Sequence, residues 1–237
     1  ILLSDFDFAN AIDFNLGIEY LAKSAEGGDT DSQYILAREY YYGDYILQDY
    51  NKALYWFMKS VEQGGQSEAK NYIGIIYDEG FGVKEDNQLA INWYEQAIEE
   101  GSLWAQYNYG LMLYNGEEDI QINFAKAFEL FEDSALKNHT LSQYYLGLMH
   151  TFGESVPVNL VEGYKWMHIA YLNEPENTII LDTLELINSK NMLSDWQISR
   201  AKNLADEFII NQSADLLDSS ESDEELTAKI QEENNSD

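Results

Sequence analysis

The chain has 237 residues, enough to bury a sizeable core in one domain or two. Against 43 Asp and Glu stand only 13 Lys and Arg, a formal net charge of −30 that repels phosphate backbones and anionic lipid heads and so excludes unassisted binding to nucleic acid or to an anionic membrane. With 45% hydrophobic and 14% aromatic residues it holds more apolar surface than a disordered acidic chain, and with no Cys it has no disulfide, thiolate metal site or Cys nucleophile.

The opening Ile1-Leu2-Leu3 is cut short by Asp5 and Asp7, and no apolar run approaches the roughly 18 residues of a membrane helix, so neither a signal peptide nor membrane insertion is expected. The first residue is not Met, which leaves two compartments open: the cytoplasm, or the periplasm where a leader has been removed.

From Asp13 onward the chain repeats itself. Tyr20, Trp56, Trp93, Leu130 and Trp166 follow one another at intervals of 36, 37, 37 and 36 residues. Three residues before each stands Gly17, Ala53, Ala90, Ala127 or Gly163, and four before those Asp13, Asp49, Asp86, Asn123 or Asn159, all good helix N-caps. A second register runs through Ala37, Gly74, Gly110 and Gly147, each followed six residues later by Gly43, Gly80, Gly116 or Gly153. Each unit therefore reads as a helical hairpin. Helix A, as in 69–79, places Ala69, Ile73 and Tyr77 on one face and ends at Gly80, which supplies the left-handed cap. Helix B starts after Asp86, carries Leu89, Trp93 and Ala97 at the same spacing, and stops at Gly101. Gly inside helix A costs about 1 kcal/mol against Ala, so the Gly74 column implies close helix packing.

The run Ala105-Gln106-Tyr107-Asn108-Tyr109-Gly110, the turn Gly80-Phe81-Gly82-Val83, and Asp86, Ala90, Trp93-Tyr94, Ala97 and Gly101 together resemble the Sel-one-like repeat family, a branch of the tetratricopeptide-like helical hairpins. The resemblance covers about residues 12–173, four full units and a leading helix B. It implies an all-α fold, an α-α superhelix wound as a right-handed solenoid, with 1–173 as the repeat array. Glu117, Glu118 and Asp119 replace the GxGV turn in one unit, Leu130 replaces Trp and Asn138 the closing Gly, so a distorted turn is expected there.

Beyond 174 the register is lost but helicity is not. Pro175 opens a helix through Ile179, Leu181 and Leu184, and Ser194 with Gln197 has capping-box spacing before Ile198, Ala201, Leu204 and Phe208. Residues 174–211 thus read as C-terminal capping helices. From 212 onward nine acidic residues stand against Lys229 alone, which reads as an acidic disordered tail, 212–237.

No catalytic constellation emerges. His139, His150 and His168 fall in different columns without metal or triad spacing; His150 reads as a packed core residue and His139 as a solvated turn residue. Glu117-Glu118-Asp119 lacks the order of a calcium loop and reads as a solvated turn. No Gly-rich loop precedes a Lys. No metal and no cofactor is expected.

In tetratricopeptide-like arrays helix A lines the concave groove, and the resemblance carries that geometry to three columns here. They hold Tyr34, Asn71, Tyr107 and Tyr144; Arg38, Ile75, Leu111 and Leu148; and Tyr41, Asp78, Tyr114 and Thr151. Trp104 stands outside the repeating Trp column, where other units have Asp31, Glu68 and Leu141. The groove set is Tyr34, Arg38, Tyr41, Asn71, Ile75, Trp104, Tyr107, Leu111, Tyr114, Tyr144 and Leu148, side chains suited to anchoring a partner or to burial by neighbouring units. The reading is a non-enzymatic protein-interaction module, a scaffold, adaptor or regulator that holds a protein or peptide partner, with net charge favouring a basic one. Two alternatives stand beside it: a bacterial immunity protein neutralising a toxin, and a hydrolase lacking any recognisable nucleophile and base.

Overall fold

The computed structural model describes residues 5–116 and 119–234, with side chains over 16–116 and 119–214. Residues picked out as helix starts cap helices: Asp49, Asp86, Asn123 and Asn159 each accept a hydrogen bond from the backbone N–H three residues on, at 2.9–3.1 Å. The backbone N–H of each of these four donates in turn to a carbonyl at the end of the preceding helix, on Tyr40, Tyr77, Leu113 or His150, always at 2.8 Å. One column of polar residues thus starts helix B and ties it to helix A.

The described residues contain helices and no strand. A first unit, 1–137, holds α1 (Asp5–Glu26), α2 (Thr30–Tyr42), α3 (Tyr50–Glu62), α4 (Ser67–Asp78), α5 (Asn87–Glu99), α6 (Leu103–Asn115) and α7 (Phe124–Leu136). A second, 138–237, holds α8 (Thr140–Phe152), α9 (Leu160–Asn173), α10 (Thr178–Ser189) and α11 (Asp195–Asn234). Within each unit the helices pair in chain order: α2 on α3, α4 on α5 and α6 on α7 in the first, and α8 on α9 in the second. This is the hairpin pairing of a helical-repeat solenoid. α1 starts at Asp5, so Asp13 lies inside a helix instead of capping one.

Glycines 43, 80, 116 and 153 all have positive φ, which ends helix A in each repeat as expected. Asn138 also has positive φ, at 67°; an amide side chain tolerates the left-handed region better than most, so Asn serves where Gly28, Gly64 and Gly101 close the other hairpins. Glu117 and Glu118 lie outside the described residues, while Asp119 accepts a 2.6 Å hydrogen bond from Asn87 Nδ2.

In α3 and α5 the core lies one residue past the Trp column, while in α7 and α9 Leu130 and Trp166 of that column are themselves buried. Phe57, Tyr94, Phe131 and Met167 are fully buried, whereas Trp56 and Trp93 are half-buried at the edge of a cluster centred on Phe57, Ile73 and Ile76. Successive residues point about 100° apart on a helix, so only one of each adjacent pair can face helix A. In the second unit Tyr164, Met167 and Ala170 of α9 pack with Ile180, Leu184 and Ile187 of α10 and Ala201 of α11. α11 runs on to Asn234, through the segment from 212 for which composition suggests disorder; from Asp195 to Asn234 no Gly or Pro offers a stop.

Candidate functional site

The groove columns meet in the first unit, where α2, α4 and α6 line a cleft of about 500 Å³. α2 supplies Tyr34, Arg38, Tyr41 and Tyr42; α4 supplies Glu68, Asn71, Tyr72 and Ile75; α6 supplies Trp104 and Asn108. Each is the first helix of its hairpin, and side chains three and four apart share one helix face, so Tyr34, Arg38 and Tyr41 project together.

Aromatic contacts fix the walls. Tyr41 packs edge-on against Tyr42, Tyr50 and Tyr72, with centroids 5.0, 5.5 and 5.1 Å away. Tyr72 stacks on buried Phe57 at 4.9 Å, and its hydroxyl pairs with that of Tyr42 at 2.7 Å. The Arg38 guanidinium stands over the Tyr34 and Tyr42 rings, 5.8 Å from each centroid. Asn108 Nδ2 donates to Asn71 Oδ1 at 2.9 Å, bridging neighbouring repeats across the floor.

Burial pushes the Tyr41 hydroxyl up to about 12 and raises those of Tyr34 and Tyr72, so all three stay protonated donors at neutral pH. Burial also raises the Glu68 carboxyl, only partly offset by the hydroxyl of Ser102, which donates to Glu68 Oε1 at 2.8 Å. Trp104 is 49% and Tyr42 48% exposed, a large apolar area on a wall otherwise held by packing.

Six of the eleven expected residues line this cleft: Tyr34, Arg38, Tyr41, Asn71, Ile75 and Trp104. Leu111 lies in a smaller cleft of about 180 Å³ that shares Ile75 and Asn108 with the first and adds Asp78 and Glu79. Tyr107 packs between Trp104 and Phe131, and Tyr114 against Phe124 and Phe131, so both support the wall. Tyr144 and Leu148 belong to the second unit and pack against its core, with Tyr144 Oη 3.1 Å from Thr183 Oγ1 on α10. Four lining residues fall outside the expected set: Tyr42, Glu68, Tyr72 and Asn108. Glu68 shares the Trp104 column, and Tyr72 and Asn108 stand one residue past Asn71 and Tyr107, so widening each column by one position finds them.

His139 corrects the reading of a solvated turn: it is 7% exposed and caps α8, its Nδ1 accepting from the Ser142 N–H at 3.3 Å and lying 2.9 Å from Ser142 Oγ. Burial lowers its pKa to about 4. A Ser and a His within hydrogen-bond reach have the spacing of a nucleophile and its base, but Ser142 is fully buried and the pair serves here as the cap of α8. Among the described residues, no group of three or more His, Asp or Glu is placed to hold a metal ion.

The Sel1 repeat profile matches residues 11–29, 30–65, 67–102, 105–139 and 140–174, more than half of the chain. Among solved structures the chain is similar to c5321, a protective antigen present in uropathogenic Escherichia coli strains that displays an SLR fold, with 28% identity and a TM-score of 0.71. That match covers 81% of this chain and 40% of the antigen, so the chain spans well under half of that relative. It is also similar to a Sel1 repeat protein from Oxalobacter formigenes, with 25% identity and a TM-score of 0.67 over 80% of this chain and 78% of that one. No protein among the curated sequences matches.

Proposed function

We propose, from the premise that the chain belongs to the Sel1 repeat family, that its first unit holds a polypeptide partner in the cleft across α2, α4 and α6 and acts as a non-enzymatic adaptor or regulator. Sel1 repeats are generally protein-interaction modules, typically without catalytic machinery, and that coarse role rests on the family alone. The finer reading is carried by one observation: three successive repeats present Tyr, Trp and Arg side chains to a single cleft, while the fully buried core beneath is built from other residues. Tyr, Trp and Arg are the side chains that most often carry binding energy at protein interfaces, and half of the Trp104 surface is open to solvent at the rim.

Affinity capture from native extract with quantitative mass spectrometry tests this, comparing the natural chain with a Trp104→Ala, Tyr42→Ala variant of unchanged circular dichroism. The reading requires a partner recovered by the natural chain and lost with the variant. Equal recovery by both places binding elsewhere.

A further inference from the structure

The two adjoining clefts of the first unit differ in charge: the larger holds one cation, Arg38, and one carboxylate, Glu68, whereas the smaller holds only carboxylates, Asp78 and Glu79. In the larger, Arg38 is held over Tyr34 and Tyr42 and makes no ion pair among the described residues. It shares this with Lys84, Lys190, Lys202 and Arg200, but of these five Arg38 alone lines the large cleft. The carboxylate in the same cleft, Glu68, accepts instead from Ser102. Tyr34, Tyr42 and Tyr72 line the same cleft as Arg38, and because the Tyr42 and Tyr72 hydroxyls pair with each other, that pair has one hydroxyl hydrogen left to donate. The smaller cleft is acidic: Glu79 is exposed, and Asp78 keeps the hydroxyl of buried Tyr94 on its Oδ2 at 2.9 Å. Ile75 and Asn108 stand in the wall of both clefts, so an apolar step separates a cationic subsite from an anionic one.

Resting on the proposal that this cleft binds a polypeptide, we infer that the groove reads a segment carrying an acidic side chain, an apolar residue and a basic side chain in that order, from α2 across to the C-terminal end of α4. The carboxylate seats on Arg38 with the Tyr hydroxyls, the apolar residue covers Ile75 beside Trp104, and the cation lies against Asp78 and Glu79. A guanidinium takes a carboxylate through two parallel N–H bonds, which suits Arg38 for the first contact. Net charge decides the rest of the segment: a −30 chain repels a polyanion, so the single acid must be accompanied by bases.

A random-peptide display library selected on the intact chain tests this whatever the natural partner is. Recovered peptides should share one acidic position and one basic position flanking an apolar residue. Selection on Arg38→Gln should lose the acidic preference and keep the basic one, and selection on Glu79→Gln should weaken the basic preference alone. With a synthetic copy of the consensus peptide, Glu→Gln in the peptide should weaken binding to the natural chain about tenfold and leave binding to Arg38→Gln unchanged, the size expected for losing a charge-assisted hydrogen bond. The peptide substitution needs no altered protein, so a folding defect in Arg38→Gln cannot mask the result. Peptides that bind in competition with one another but show no acidic position, or an acidic preference that survives Arg38→Gln, overturn the inference and leave the binding cleft standing. Failure to recover any binding peptide overturns both.

Discussion

The ring of Tyr94 lies against the bare backbone of Gly74: a Cβ at Gly74 would stand 2.5 Å from Tyr94 Cε1 and 2.7 Å from Cδ1. Gly110 and Phe131 repeat the arrangement one hairpin later, and Gly147 and Met167 repeat it in the second unit. The small residue inside helix A and the fully buried residue of helix B are therefore one packing device, a ring or thioether chain filling the space that a missing side chain leaves.

Gly74→Ala is the smallest test of that device. Ala gains about 1 kcal/mol of helix propensity over Gly, but overpacking a close contact costs about 1–3 kcal/mol, and the atoms met here belong to a ring held in the core. The variant should melt below the natural protein, and Gly74→Leu and Gly110→Leu lower still. Unchanged melting temperatures in all three would show that the rings move aside.

Adjacent aromatic residues on α5 should respond unequally. Tyr94→Ala empties a fully buried site and should cost about 3–5 kcal/mol, as large-to-small core changes do. Trp93→Ala removes a half-buried ring and should cost on the order of 1–2 kcal/mol by lost apolar burial. Urea titration of both variants gives the comparison, and an equal or reversed order would show that Trp93 packs as deeply as Tyr94.

That contrast marks what a single sequence reveals of this fold. Period, hairpin boundaries and caps are legible because Gly, Asp and Asn at a turn act through local backbone chemistry, seen in Asp86 bonding Leu89 and in the positive φ of Gly80. Which of Trp93 and Tyr94 fills the core is not, since both are aromatic and the choice depends on the direction of the neighbouring helix. The cleft is legible in outline for the same reason as the repeat: Tyr34, Asn71 and Trp104 occupy equivalent helix faces. Tyr144 and Leu148 occupy the same columns yet pack into the second unit's core against α10, a contact that no repeat period encodes. His139 is illegible because a capping His and an exposed His look alike until burial is known.

His139 gives the fold a pH dependence of known sign. Its pKa is about 4 when folded, against 6.5 unperturbed, because burial disfavours the charged ring. Between those values the unfolded chain binds a proton that the folded chain does not, so stability contributed by the neutral ring is present above pH 6.5 and is lost as pH falls toward 4. The full effect is on the order of 3 kcal/mol. Asn caps a helix without titrating, so His139→Asn should show a shallower loss of melting temperature over this window. Parallel curves for the two proteins would mean that carboxylates alone govern the acid limb.

Removal of residues 215–237 should leave the second unit folded. Among the described side chains of α11, Ala201 and Ala205 are fully buried, and Phe208 meets Trp166 at 5.0 Å. The removed segment has nine acidic residues against Lys229, so truncation also relieves like-charge repulsion. Helical ellipticity should fall in proportion to length while the melting temperature holds. A lower melting temperature would mean that the segment docks.

Trp104→Ala and Tyr144→Ala should fail in opposite ways, although both residues sit on the first helix of a hairpin. Trp104 is 49% exposed at the rim of the cleft, so its truncation removes less packing than loss of a core ring, and stability should fall by about 1 kcal/mol. Any peptide held in the cleft should bind far more weakly, since an aromatic anchor often carries about 2 kcal/mol or more. Tyr144 packs against the Tyr164 and Ile180 cluster and pairs with Thr183, so its loss should lower the stability of the second unit by about 2 kcal/mol or more. Its effect on binding at the first-unit cleft should be nil at temperatures where the variant stays folded. Calorimetric melting and peptide titration on the same two proteins separate these outcomes. If Tyr144→Ala weakened peptide binding while Trp104→Ala did not, the binding surface would lie on the second unit and the assignment of the cleft would fall.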